Sequence, residues 1–182
     1  MNIGVLGTGQ VGEAIASALI KKGHNVRMGS RTVNNEKAVD WMKRSNDHAS
    51  IGNFADAASF GDMFFLCLNG NVALDALRSI DIEDTRGKII IDVTNPLDFT
   101  HGMPPRMLEG LGNSNSLGEE IQKALPDAYV VKTLNTVNFK LMVDARQVNG
   151  GDHHLFFCGN NPDAKNKVKH FLVDNFNWRS DH

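Results

Sequence analysis

Met1-Asn-Ile-Gly-Val-Leu-Gly-Thr-Gly-Gln-Val-Gly12 opens the chain, and its reading decides the fold. Asn2 to Leu6 is a short apolar run of strand character, and from Glu13 to Lys22 the apolar residues recur at helical spacing. Between them lies Gly7-x-Gly9-x-x-Gly12, so the order is strand, glycine turn, helix. In such a turn Gly7 makes the tight bend, Gly9 lets a pyrophosphate approach the backbone, and Gly12 lets the helix pack close. A helix N-terminus with unpaired N–H groups and the positive end of the dipole favours an anion there. The motif alone is weak, and its place between a strand and a helix makes it strong.

Working outward, 182 residues suffice for one sizeable core, and one domain over residues 1–182 is expected. A net charge of −2 and a pI near 6.4 argue against nucleic acid as a partner, because no basic stripe is present to pair with phosphates. Glu13, Lys21 and Lys22 interrupt the first apolar span, so no membrane segment and a cytoplasmic location are expected. Cys67 and Cys158 both lie in apolar, strand-like runs and read as buried, inert thiols. Adjacent His153 and His154 in a strand would point to opposite faces, so no metal site is expected.

The second strand, Asn25 to Gly29, runs into Ser30-Arg31 and carries no acid where an NAD enzyme keeps its ribose-binding carboxylate. Ser30 can donate a hydrogen bond and the Arg31 guanidinium can pair with a 2′-phosphate, which predicts NADP(H) over NAD(H). A solvated loop arginine is the plain alternative. Asn34 or Asn35 caps a second helix that buries Trp41, and a short helical piece spans Phe54 to Phe60. Met63 to Leu68 reads as a strand covered on both faces, and Asn69-Gly70-Asn71 follows, with Asn71 as the expected helix cap. Lys88 to Asp92 forms strand four and Tyr129 to Leu134 strand five, with Leu155 to Cys158 as a sixth. Leu97 to Asn113, rich in Gly, Pro and Met, reads as a flap beside the nicotinamide or as plain disorder. Strands alternating with helices specify an α/β fold with a doubly wound, mostly parallel sheet of Rossmann type.

Ligands in such sheets bind beyond the carboxyl ends of the strands, which here supply Asn69, Asn95, Pro96, Asn135, Thr136 and Val137. All are uncharged, and no catalytic residue is assigned. Alcohol or ketone chemistry calls for a group that moves a proton. His101, Lys132 and Lys140 are the nearby ionisable residues, and each has a plainer account as loop, strand-edge or helix-surface residue. A site that only holds two rings face to face suits direct hydride transfer to a flavin-like acceptor.

Several stretches together resemble the NADPH-dependent oxidoreductases that use the deazaflavin coenzyme F420. They are Ile3 to Gly12, Gly29-Ser-Arg31, Asp92-Val-Thr-Asn-Pro96, Ser116-Leu-Gly-Glu-Glu-Ile121, Val130-Val-Lys-Thr-Leu-Asn-Thr-Val137 and Cys158-Gly-Asn160. The resemblance implies that Thr8, Gly9, Gln10 and Val11 hold the pyrophosphate and that Ser30 and Arg31 hold the 2′-phosphate. It places Leu68, Asn69, Asn95, Pro96, Asn135 and Thr136 around the nicotinamide and its acceptor, F420 or a flavin. The family continues past the last helix with a strand and a helical tail that serve the dimer and the acceptor pocket; this chain stops at Trp178-Arg-Ser-Asp-His182, leaving the tail absent and a homodimer open. The loop Asn69-Gly70-Asn71 lacks the proline and bulky residues common in the family. Two alternatives stand beside the hydride-transfer reading: a non-catalytic, redox-sensing NADP(H)-binding module, and a β-hydroxyacid or imine reductase.

Overall fold

The computed structural model describes residues 1–112 and 114–179. Its centre is a six-stranded, all-parallel sheet: β1 Asn2–Leu6, β2 Asn25–Ser30, β3 Ala49–Asn53, β4 Met63–Leu66, β5 Ile89–Asp92 and, after a small ribbon of β6 Leu97–Asp98 and β7 Arg106–Met107, β8 Tyr129–Lys132. The order across the sheet is β3-β2-β1-β4-β5-β8. The chain therefore runs outward from β1 to β3, returns to lay β4 on the other flank of β1, and proceeds to β8. That reversal opens a crevice at the carboxyl ends of β1 and β4, where doubly wound sheets bind their ligands.

Helices cover both faces. On one side α1 Gln10–Lys21, α2 Glu36–Lys43, α6 Phe139–Met142 and α7 Pro162–Phe176 bury Ile15, Leu19, Trp41, Val168 and Phe176 against Val5, Phe65 and Ile91. On the other, α3 Phe54–Phe60, α4 Gly70–Leu77 and α5 Leu117–Ala124 pack Ala57, Leu77 and Ile121 onto Leu6, Phe64 and Ile90. Residues that alternate along one strand thus feed two cores, which is why β4 and β5 read as unbroken apolar runs. Local signals set the helix starts. Ser116 and Glu119 close a capping box on α5, and Asn161 caps α7 ahead of Pro162.

Four expectations from sequence need correction. Ala49–Asn53 forms an edge strand on β2 that the sequence reading passed over, because its half-buried, Gly-containing run shows little alternation. β8 ends at Lys132, not Leu134, because Leu134 takes a left-handed backbone (φ 64°) that turns the chain out of the sheet. Leu155 to Cys158 is not a strand: a single antiparallel bridge joins Cys158 to Lys132. The side chain of Gln122 accepts from the Val130 N–H at 3.2 Å, so the next position on the β8 edge is already taken. His153 consequently does not lie in a strand; its ring stands edge-on to Trp178, centroids 4.9 Å apart. Finally, Cys158 is exposed, since the bridge holds it on the outer rim; Cys67 is half-buried, and desolvation, with the Asp92 carboxylate nearby, pushes its thiol far above the ordinary range.

Leu97 to Gly112 is more ordered than a bare loop. Leu97 pairs with Met107 and Asp98 with Arg106, forming an antiparallel ribbon that carries Phe99, Met103 and Met107 exposed to solvent.

Candidate active site

The glycine turn is built from its own backbone. Gly7 has φ 127°, a conformation L side chains rarely adopt, and its N–H donates to the Gly29 carbonyl at 2.9 Å. A Cβ at Gly12 would collide with the Gly7 carbonyl, so the first turn of α1 sits directly on the bend. A Cβ at Gly9 would meet nothing within 4 Å. Gly9 is also the N-cap of α1 and supplies no side-chain cap, leaving the N–H groups of the first turn without a side-chain partner there.

Two cavities lie at the carboxyl ends of the strands. One, of about 460 Å³, is walled by Arg31 after β2, by Asn53, Phe54 and Ala55 at the start of α3, and by Leu68, Val72, Asp75, Ala76 and Ser79 after β4. The other, of about 500 Å³, is lined by Val11, Leu68, Asn69, Gly70, Asn71, Val93, Asn95 and the flap residues Leu97 to Thr100. Leu68 borders both, so together they form one trough crossing the carboxyl ends of the strands.

Of the sequence-nominated residues, Arg31, Val11, Leu68, Asn69 and Asn95 line that trough, and the others lie in the glycine turn or in the loops behind it. Arg31 is exposed at one end and, among the described residues, pairs with no carboxylate. Ser30 is 4% exposed, and its hydroxyl donates to the Thr32 carbonyl, so its proton is spent on shaping the turn. Thr8, Gly9 and Gln10 carry the chain from β1 into α1 and line neither cavity; Val11, one residue on, lines the second. Asn69, not Asn71, is the N-cap of α4; it makes no side-chain cap bond, which leaves its amide at the second cavity, while Asn71 sits in the first turn. At Gly70 a Cβ would collide with the Asn95 carbonyl and stand 2.9 Å from the Pro96 Cα, so α4 presses directly on the Asn95-Pro96 loop.

Asn95 lines the second cavity, and its amide donates to the Asn135 carbonyl at 2.8 Å; the Asn135 amide returns a bond to the Asn95 side-chain oxygen at 3.1 Å. Pro96, Asn135 and Thr136 do not line the cavity; Asn135 backs it through Asn95, Pro96 stands against Gly70 of α4, and Thr136 is exposed. His101 and Lys140 are exposed and also stand outside the lining.

Over residues 2–96 the chain matches the model of the family described as NADP oxidoreductase, coenzyme F420-dependent. The chain belongs to that family. It therefore stands among the NADP-dependent oxidoreductases. A crystal structure from Arthrobacter sp. FB24, described as a candidate F420-dependent NADP-reductase, is 42% identical; it superposes with a TM-score of 0.88 over 96% of this chain and 80% of that one. Metalloreductase STEAP3 of Rattus norvegicus is 26% identical over 91% of this chain, which spans 30% of that protein's length. A reductive aminase from Aspergillus terreus in complex with NADPH shares the fold, with a TM-score of 0.64 at 18% identity, over 94% of this chain and 52% of that one.

This NADP oxidoreductase has site features that the sequence reading missed. Asn53 and Phe54 wall the first cavity because β3 and α3 meet there; the Asn53-x-x-Asp56 capping box was the available signal. Asp98 is the only carboxylate among the residues lining the second cavity. Hydrogen bonds from Thr100, helped by His101 and Arg106, hold its carboxyl below the usual range, which makes it a poor proton donor. Lys132, read from sequence as a strand-edge residue, pairs at 2.9 Å with Asp92, which is fully buried. Among the described residues no group of three or more His, Cys, Asp or Glu side chains is placed to hold a metal, and no helix is long and apolar enough to cross a membrane.

Proposed function

We propose that this chain reduces the deazaflavin coenzyme F420, or a flavin-type acceptor, by direct hydride transfer from NADPH. The observation that carries the reading is the trough itself: an arginine at one end and, at the other, a cavity lined mostly by amides and apolar groups, which the open glycine turn reaches at Val11.

In this reading the Arg31 guanidinium pairs with the 2′-phosphate, and Ser30 supports the turn that presents it. The backbone of Thr8, Gly9, Gln10 and Val11 takes the pyrophosphate on the first turn of α1, where Gly9 leaves room for it. Asn69 and Asn95 hold the nicotinamide end, with Leu68 and Val11 against its face and Pro96, Asn135 and Thr136 backing the rim. When bound, the nicotinamide supplies the hydride. The protein's contribution is orientation and exclusion of water. Two flat rings brought into contact in a fixed geometry need no proton relay for the hydride step itself, which suits a cavity whose one carboxylate stays ionised. The flap residues Leu97 to Thr100 form the outer wall against which the acceptor lies. F420 is favoured over a flavin by the family's description and by the Arthrobacter relative.

The test is anaerobic oxidation of NADPH, followed by loss of nicotinamide absorbance, with F420 and FMN as separate acceptors and NADH as control. Turnover with NADPH and F420 supports the reading. NADPH binding without turnover on either acceptor would overturn it in favour of a non-catalytic nucleotide-binding module.

A further inference from the structure

Asp92 and Lys132 end two neighbouring parallel strands and stand opposite each other in register. Asp92 is 0% exposed, and both of its carboxylate oxygens are used. Oδ1 accepts from the Thr94 backbone N–H at 2.9 Å and from the Thr94 hydroxyl at 2.7 Å; Oδ2 accepts from Lys132 Nζ at 2.9 Å. Lys132 Nζ donates a second bond, at 2.6 Å, to the Thr94 carbonyl. Thr94, itself 1% exposed, is therefore gripped through its N–H, its hydroxyl and its carbonyl by two side chains. The next residue is Asn95, which reaches across to Asn135, three positions beyond Lys132. Between them Leu134 is fully buried with φ 64°, so the β8 loop is held in a conformation that an unrestrained leucine avoids.

We propose that Asp92 and Lys132 are positioning residues that set Asn95 and Asn135 at the nicotinamide end of the trough without touching the cofactor. The inference rests on the cofactor reading above. A buried ion pair stabilises a fold little more than apolar side chains of the same volume would, so stability alone is a weak account of this one. What the pair supplies, and apolar residues cannot, is directional bonding to all three polar groups of Thr94. Lys132 does not line the Asn95 cavity; its side chain borders the groove between α5 and β8, beside Ser116, Gly118 and Cys158. A proton route from its ammonium to the nicotinamide is thus not built, and its action passes through Thr94.

Dissecting the cofactor tests this. NADPH and 2′,5′-ADP, which lacks the nicotinamide half, are titrated by calorimetry into wild type, Lys132→Met and the double variant Asp92→Asn/Lys132→Met. The single variant leaves a buried carboxylate short of its partner and is exposed to misfolding; the double variant removes both charges while keeping both shapes. The expected result, in whichever variant folds, is an unchanged Kd for 2′,5′-ADP and a Kd for NADPH weakened about tenfold, the scale of one lost hydrogen bond. Equal weakening of both ligands, or of neither, would overturn the proposal and leave the pair a structural feature. Wild-type protein that binds neither ligand would instead bring down the cofactor reading, and this inference with it.

Discussion

Asn95 and Asn135 hold each other across the ends of β5 and β8, each amide donating to an oxygen of the other residue, at 2.8 and 3.1 Å. Replacing Asn95 by Ala removes both bonds and leaves the partly buried Asn135 carbonyl without this donor. The expected cost is about 1 kcal/mol of stability, read as a lower urea midpoint with an unchanged slope, together with weaker NADPH binding. An unchanged midpoint would show that the two loops hold their places independently of the clasp.

Arg31 stands exposed at the rim of the first cavity and, among the described residues, has no carboxylate partner. Arg31→Ala is expected to weaken NADPH binding by about 10- to 100-fold, the scale of one charge-assisted contact, and to leave NADH nearly untouched. Titration of both nucleotides checks this. Equal losses would remove the 2′-phosphate assignment.

Gly12 has no room for a side chain, because a Cβ would meet the backbone of Gly7. Gly12→Ala must push α1 off the turn. A loss of about 1–3 kcal/mol is expected, lowering Tm by about 2–10 °C for a chain of this size, with NADPH affinity falling as well. Thermal unfolding with and without NADPH measures both effects.

Cys158 is exposed, whereas burial raises the Cys67 thiol far above its ordinary range. The thiolate is the reactive form, so an alkylating reagent at pH 8 should label Cys158 rapidly in the folded protein and Cys67 only after denaturation. Mass spectrometry of tryptic peptides distinguishes the two. Prompt labelling of Cys67 would mean that the floor of the glycine turn opens.

Asp98 is held below the usual carboxylate range chiefly by its bonds with Thr100, including one from the Thr100 N–H at 2.8 Å. Because the folded form favours the ionised carboxylate, its ordering effect is full above the unfolded carboxylate's pKa and is lost as pH falls through the depressed folded value. Asp98→Asn should mimic the acid state at neutral pH. Limited proteolysis between Leu97 and Gly112 is expected to quicken in that variant, and to be slowed by NADPH in the wild type. Cleavage at the same rate in both proteins would detach the ribbon's order from this carboxylate.

Much of this protein is written locally. The apolar run before Gly7, the helical spacing after Gly12, the capping box at Ser116 and Glu119 and the Asn161-Pro162 start of α7 are short-range features. They act on the backbone within a turn or two, so the chain declares them residue by residue. Arg31 in place of an acid belongs to the same class, since the motif fixes its distance from the glycines. Tertiary structure alone decided the rest. Only the return of β4 to the flank of β1 brings Leu68 and Asn69 to the glycine turn, and only the edge strand β3 swings Asn53 and Phe54 into the opposite wall. Asp92 and Lys132, forty positions apart, meet because their strands are neighbours in register. Contacts of that range leave no periodic trace in either partner's neighbourhood. The sequence thus determined that a glycine turn of nucleotide-binding type exists and that an arginine, not an acid, follows the second strand, and the packing of distant strands decided the walls of the cavities.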